Sequence, residues 1–234
     1  MRTIAIGDIH GCVKALQSLV DVVAPDADDQ LVFLGDYVDR GPDSKGVIDL
    51  LLDLKTRCRT VFLLGNHEIM FRGVLAGFPI APWLASGGSQ TVTSYGGRLS
   101  GVATEHIDFL HACLPYYETQ QHIYLHANYL AELPLSEQPE QTLYWEHLGD
   151  RVPQPHISGK HVFCGHTPQP RGEIGYYGYF TCLDTCCFGG YWLSAIDVDT
   201  GETWQVSKEG HLRENGRFML RLWRKWRGIH KRYQ

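Results

Sequence analysis

Gly7-Asp8-Ile9-His10-Gly11, Gly35-Asp36-Tyr37-Val38-Asp39-Arg40-Gly41 and Gly65-Asn66-His67-Glu68 are the three stretches on which the fold turns. Each ends a short apolar run, at residues 2–6, 31–34 and 60–64. Such runs read as buried strands. Apolar residues at helical spacing follow in 13–23 and 44–54, the second with Ser44 as a candidate cap, and 67–75 reads as helical too. Three strand–turn–helix units in succession predict parallel strands in an α/β sheet. In open α/β sheets the carboxyl ends of the strands line the ligand crevice. Asp8, His10, Asp36, Asp39, Asn66 and His67 should therefore gather in one place.

Working outward, two later strand ends repeat the pattern. Residues 122–126 end at His126, before Ala127-Asn128, and 161–164 run into Gly165-His166-Thr167. A lone Gly-Asp-x-His is an ordinary turn. Five strand ends bearing Asp, Asn and His exceed what turn propensity produces. Packed carboxylates and imidazoles repel or desolvate one another unless a cation holds them. The oxygen and nitrogen donors suit Mn, Fe or Zn. They outnumber the needs of one ion, so two ions sharing a carboxylate are expected, able to hold a hydroxide and clamp a phosphoryl group.

The rest of the chain bounds the architecture. Residues 77–104 are rich in Gly, Ser and Pro and read as a loop-rich insertion with room for a short helix; within it Trp83–Gly97 would serve equally well as a substrate entrance or a structural cap. A helix is expected over 105–113, strands over 116–118 and 122–126, and loop around a short helix near Tyr144 over 129–160. Short β runs follow at 161–164, 173–176, 179–183, 190–197 and 202–207, the last two joined by a turn at 199–202. The expected fold is α/β, a two-sheet β-sandwich flanked by helices, with the catalytic domain over 1–211 and a basic tail over 212–234.

Composition excludes several classes. The chain has 234 residues, 44% hydrophobic and 20% charged, so the bulk of it is not disordered. A net charge of −5 argues against non-specific nucleic-acid binding, and no nucleic-acid partner is expected. Seven irregularly spaced Cys suggest no disulfide framework or CxxC zinc pair and read as reduced thiols of a cytoplasmic protein. No apolar leader opens the chain, and no stretch reaches the roughly 20 apolar residues of a membrane span. Residues 213–234 carry eight Lys/Arg and one acid. Phe218, Leu222, Trp226 and Ile229 interleave them at helical spacing, which predicts an amphipathic basic helix docked on the acidic body, with contact to an anionic membrane surface as the second reading.

The blocks at 7–11, 35–41 and 65–68, with His126 and 165–167, resemble the bacterial phosphoprotein phosphatase (serine/threonine phosphatase) branch of the calcineurin-like metallophosphoesterases. The blocks stand in the family order. The resemblance implies Asp8 and His10 on a first metal, Asp36 bridging, and Asn66, His126 and His166 on a second. It implies His67 as general acid oriented by Asp39, and Arg40 and Asn66 on phosphate oxygens. It implies two divalent ions, Mn²⁺ first with Fe or Zn as alternatives, and a phosphomonoester substrate, foremost phosphoserine or phosphothreonine in proteins, or a small phosphoester. The sequence departs from that branch at Leu64, where a basic residue usually precedes the Gly-Asn-His-Glu block, at 143–147, where no Arg follows Trp145, and at Ala127-Asn128 in place of Gly-Gly. A rival with the same metal blocks is a dinucleoside polyphosphate hydrolase of the diadenosine tetraphosphate type, in which Asp usually replaces Glu68 and the Asp-Arg-Gly ending is incomplete. A rival of another class is a non-catalytic metal-binding scaffold, from which missing ligands would be expected.

Overall fold

The computed structural model describes residues 1–149 and 152–214. Two five-stranded sheets form its centre. The first runs β10-β9-β1-β2-β3 and the second β4-β5-β6-β8-β7. In the first, β1 (Thr3–Ile6), β2 (Gln30–Phe33) and β3 (Arg59–Phe62) are parallel, with α1 (Val13–Val23) and α2 (Ser44–Arg57) as crossovers. On β1's open side the chain adds β9 (Trp192–Asp197), antiparallel to β1, and then β10 (Thr203–Ser207), antiparallel to β9. In the second sheet β5 (His122–Leu125), β6 (His161–Cys164) and β8 (Phe180–Cys182) are parallel, edged by β4 (Tyr116–Glu118) and β7 (Gly175–Tyr176).

Side-chain alternation along the strands builds the layers. Ile4, Ile6, Leu31 and Phe33 join Leu16, Leu19, Val47 and Leu51 of the helices in one buried cluster. Ala5, Val32 and Leu34 join Tyr124 and Phe163 of the second sheet in another. The predicted two-sheet sandwich flanked by helices is therefore observed, and all six parallel strands end on one polar rim.

Three local expectations differ. α2 is capped by Asp43, whose side chain accepts from Gly46 N at 2.8 Å. Ser44 is instead its first residue, turned inward onto Thr91 and Asp39. The insertion is mostly helical: α3 (Asn66–Leu75) is followed by α4 (Ile80–Trp83), a π turn at Leu84–Gly88 and α5 (Ser89–Ser94). Gly87, at φ 109°, reverses the chain between them, and the absent side chain of Gly88 makes room for the Trp83 indole. α6 (Thr104–Ala112) and α7 (Glu140–Trp145) lie where short helices are expected. All seven cysteines are free thiols, six of them buried. No helix among the described residues is long and apolar enough to cross a membrane. Of the tail, Leu212 pairs with Val206 and Arg213 lies over the Trp192 ring; the predicted basic helix lies outside the described residues.

Candidate active site

The strand-end turns carry the polar residues, and their backbones are bent to do so. Among the described residues eight non-glycines have positive φ, and five of them are His10 (46°), Asp36 (52°), Asp39 (71°), Arg40 (67°) and His166 (63°). Left-handed backbone at such residues is unfavourable and persists only where the surroundings enforce it. Glu68, fully buried in the first turn of α3, supplies part of that enforcement. Its carboxylate accepts from Asp36 N (2.8 Å), Tyr37 N (2.8 Å), Val38 N (3.2 Å) and Gly65 N (3.0 Å). Burial and the Asp36 charge raise the Glu68 pKa, but with four donors around it this carboxylate is held ionised.

The structure brings Asp8, His10, Asp36, Asp39, Asn66, His67, His126 and His166 together, all buried, with Arg40 half-buried beside them. Asp36 is central. His10 Nδ1 lies 2.9 Å from Val38 O and His126 Nδ1 lies 2.8 Å from Leu34 O. A carbonyl oxygen can only accept, so both Nδ1 atoms carry the proton and both Nε2 atoms present lone pairs. Those lone pairs face Asp36: His10 Nε2 is 3.4 Å from Oδ2 and His126 Nε2 is 3.3 Å from Oδ1. Acceptor thus faces acceptor on both sides of one carboxylate. Asn66 Oδ1, 3.1 Å from both His126 Nε2 and His166 Nδ1, adds a further oxygen to one side. The amide turned over would relieve that side by donating, and on the other side the Arg40 guanidinium donates to His10 Nε2 at 3.0 Å; a divalent cation on each side would meet the carboxylate oxygens as well.

Burial sharpens the conflict. It lowers His10 and His166 to about 3, keeping them neutral as metal binding requires. Burial and the charges of Asp184 and Asp36 push Asp8 up, and burial raises Asp184 to about 6. Asp8 Oδ2 accepts from His166 N at 2.9 Å, while Asp8 Oδ1 is buried with no hydrogen-bond partner. A side chain at Gly165 would collide with that oxygen, so the chain passes there only as glycine. The donors therefore fit divalent cations on both sides of Asp36: His10, Asp36 and His67 on one, with Asp8 nearby, and Asp36, His126 and His166 on the other, donor atoms within 4.8 Å in each set.

His67, its ring edge-on to His10 with centroids 4.7 Å apart, is oriented by a network of its own. Its Nδ1 lies 2.7 Å from Asp39 Oδ2, leaving Nε2 buried and unpartnered. The insertion fixes Asp39: Trp83 Nε1 donates to it at 2.8 Å and the Thr91 hydroxyl at 2.6 Å. Burial lowers the His67 pKa, but the charge of Asp36 and the bond to Asp39 outweigh it and the net shift is upward. Arg40 N donates to Gly87 O, and the guanidinium reaches His10 Nε2 at 3.0 Å over the Phe188 ring, 4.9 Å away. The insertion is thus a bracket for Asp39 and Arg40.

Two residues at the centre carry no sequence signal. Asp184 follows β8 as a sixth strand end, 1% exposed, with Oδ2 unpartnered; it stands in no recognisable block. His147, expected to be an ordinary surface or satisfied-core histidine, stacks on His166 with ring centroids 4.4 Å apart. His106 and His156 do meet that bland expectation, buried and bonded to Tyr95 with Asp49, and to Ser158 with Leu133.

The family model described as calcineurin-like phosphoesterase matches residues 1–198. A symmetrical bis(5'-nucleosyl)-tetraphosphatase from Erwinia tasmaniensis is 47% identical over 78 residues, 33% of this chain and 28% of that protein. One of the same description from Legionella pneumophila is 40% identical over 84 residues, 36% and 29% of the two chains. These matches span under a third of the relatives' length. Among solved structures, a protein described as a candidate diadenosine tetraphosphatase superposes with TM-score 0.69 at 24% identity, covering 92% of this chain and 95% of that one. A cold-active protein tyrosine phosphatase gives 0.67 at 15% identity, covering 91% and 78%. A serine/threonine phosphatase from Saccharomyces cerevisiae gives 0.56 at 15%, covering 84% and 73%. At these identities the solved structures speak for the fold.

Proposed function

The chain belongs to the calcineurin-like phosphoesterase family, and from that premise we propose that it is a dinuclear metal-dependent phosphohydrolase acting on dinucleoside polyphosphates. The carrying observation is Asp36, whose two oxygens each face an imidazole lone pair. Asp8, His10 and Asp36 would hold one ion, and Asp36, Asn66, His126 and His166 the other. When bound, such ions neutralise phosphoryl oxygens and make coordinated water more acidic.

The chain's own residues supply the rest. Arg40, oriented by the Phe188 ring, neutralises charge on the phosphoryl oxygens, and Asn66 adds a hydrogen bond to one. His67 carries the proton for the leaving oxygen on Nε2. Asp39 holds the opposite edge of the ring and stabilises its charged form, as Trp83 and Thr91 hold Asp39. A polyphosphate leaving oxygen is less basic than an alkoxide, so it asks less of this acid.

The similarity to symmetrical bis(5'-nucleosyl)-tetraphosphatases supports the dinucleoside substrate over the phosphoprotein that the sequence blocks put first. Leu64, where that branch carries a basic residue, is 8% exposed within the apolar core and adds no cation. The phosphoprotein reading retains one support, the complete Asp39-Arg40-Gly41 ending with Glu68. Steady-state kinetics with Mn²⁺ on diadenosine tetraphosphate, a phosphoserine peptide and an aryl phosphate test the order. The expected result is the highest kcat/KM on the dinucleoside. A higher value on the phosphopeptide would return the protein phosphatase reading, and no turnover of any of them would remove both.

A further inference from the structure

Asp184 lies at the polar centre, yet no role assigned above uses it. The chain holds it hard against the end of β1. Gly7 passes so close to Leu183 that a Cβ on it would stand 2.2 Å from the Leu183 carbonyl oxygen. Leu183 N donates to Cys164 O and Gln169 N to Asp184 O, each at 2.8 Å. The residues that follow Gly7 and Leu183 are Asp8 and Asp184, so the two sheets bring these carboxylates to one place. Among the neighbouring charges, that of Asp184 acts most strongly on Asp8.

The two carboxylates are held alike. Asp8 Oδ2 accepts from His166 N and Asp184 Oδ1 from Cys186 N, each at 2.9 Å. The second bond sits in a turn with Cys186 at φ 56°, left-handed backbone that a non-glycine adopts only where the surroundings enforce it. The other oxygen of each, Asp8 Oδ1 and Asp184 Oδ2, is buried and makes no hydrogen bond to any described residue. The side chains leave no route to bulk solvent, with Asp8 3% and Asp184 1% exposed. A buried anionic oxygen without a partner is costly, and two in one place also repel. A neutral donor such as water would bond the oxygens and leave the repulsion. A divalent cation removes both.

On the premise of the two-cation reading of Asp36, we propose that Asp184 belongs to the cation site on the Asp8 side, adding its carboxylate to those of Asp8 and Asp36 and to the imidazole of His10. The two sites then differ in kind. The one with Asp184 is dominated by anionic oxygen. The other shares Asp36 and adds the Asn66 amide with the imidazoles of His126 and His166. Carboxylates suit hard ions such as Mn²⁺ and imidazoles suit Zn²⁺, so the Asp184 side is the harder site.

Asp184→Asn is the discriminating variant, because its amide oxygen can keep the bond from Cys186 N while the bare oxygen is replaced. Mn²⁺ binding to the full chain is measured by equilibrium dialysis at about pH 8, where carboxylates are ionised. Urea unfolding in chelator reports the fold without metal. One of the two ions should bind about tenfold or more weakly in the variant, and the other within about twofold of wild type. In chelator the midpoint should not fall, since a neutral amide repels Asp8 less than a carboxylate does. Wild-type affinity for both ions in Asp184→Asn overturns the proposal and leaves the dinuclear reading intact. Equal losses at both ions overturn it too. So does a weakened ion together with a lower midpoint in chelator, which makes Asp184 a residue of the fold alone. In a wild type that binds a single ion the dinuclear reading fails, and the proposal stands or falls on whether Asp184→Asn weakens that ion. A wild type that binds no Mn²⁺ overturns both. Turnover is not read, so the result is independent of the substrate.

Discussion

Glu68→Gln is the most searching single substitution, because it changes one oxygen for an NH₂ without changing shape. In the wild type Oε2 accepts from Asp36 N and Gly65 N, and Oε1 from Tyr37 N and Val38 N. The amide oxygen of Gln can serve one of these pairs. Its NH₂ must then face the other two N–H groups, donor against donor, in a fully buried site. Hydrogen bonds to charged groups contribute about 1.5–3 kcal/mol each, so losing two costs about 3–6 kcal/mol. That is a large share of a typical domain's stability of roughly 5–15 kcal/mol. The assay is urea unfolding in chelator, read as a midpoint shift at constant slope. Repeating it in Mn²⁺ should widen the gap, since the same N–H groups set the turn that carries Asp36. A loss below about 1 kcal/mol in chelator would refute the view that this carboxylate holds the strained turn.

His67→Asn should lower kcat by about 10²–10⁴ on an alkyl phosphate, less on diadenosine tetraphosphate, with metal content unchanged; equal losses on every leaving group, or loss of metal, contradict an acid role. Asp29 anchors β1 through Arg2, accepting from its backbone N at 2.6 Å and from Nε at 2.9 Å. Burial raises its pKa, but these bonds outweigh burial and lower it to about 2. Its folded value lies below the unfolded value of about 3.9, so the contribution is complete above that pH and is lost as pH falls through about 2. Asp29→Asn should therefore lower the urea midpoint at pH 6, with the gap closing between about pH 4 and pH 2; a gap that persists at pH 2 contradicts the assignment.

What the sequence disclosed and what it hid have physical reasons. The donors at 7–11, 35–41 and 65–68 sit in contiguous blocks, because a strand end and its turn deliver neighbouring residues to one place. Apolar runs and glycines mark those turns, so the sandwich and its polar rim are legible together. The helices of 80–94 are not, since Gly, Ser and Pro mask a segment whose helicity comes from packing Trp83 on Phe71 and bonding Trp83 and Thr91 to Asp39. Glu68 is visible within a block, but its partners are backbone N–H groups 30 to 32 residues away or at the helix start, which no side-chain pattern records. Asp184 and His147 reach the centre singly, from β8 and from the segment after α7. The cap of α2 falls to Asp43 because Ser44 is spent on Thr91 and Asp39.

The central claim is that Asp36 joins two cation sites. Equilibrium dialysis of the full chain against Mn²⁺, with metal counted per chain, tests it most directly. The account predicts two ions in the wild type and fewer than two in Asp36→Asn at the same free Mn²⁺, because one substitution removes charge from both sides. A single ion in the wild type, or two ions held with undiminished affinity by Asp36→Asn, would contradict it.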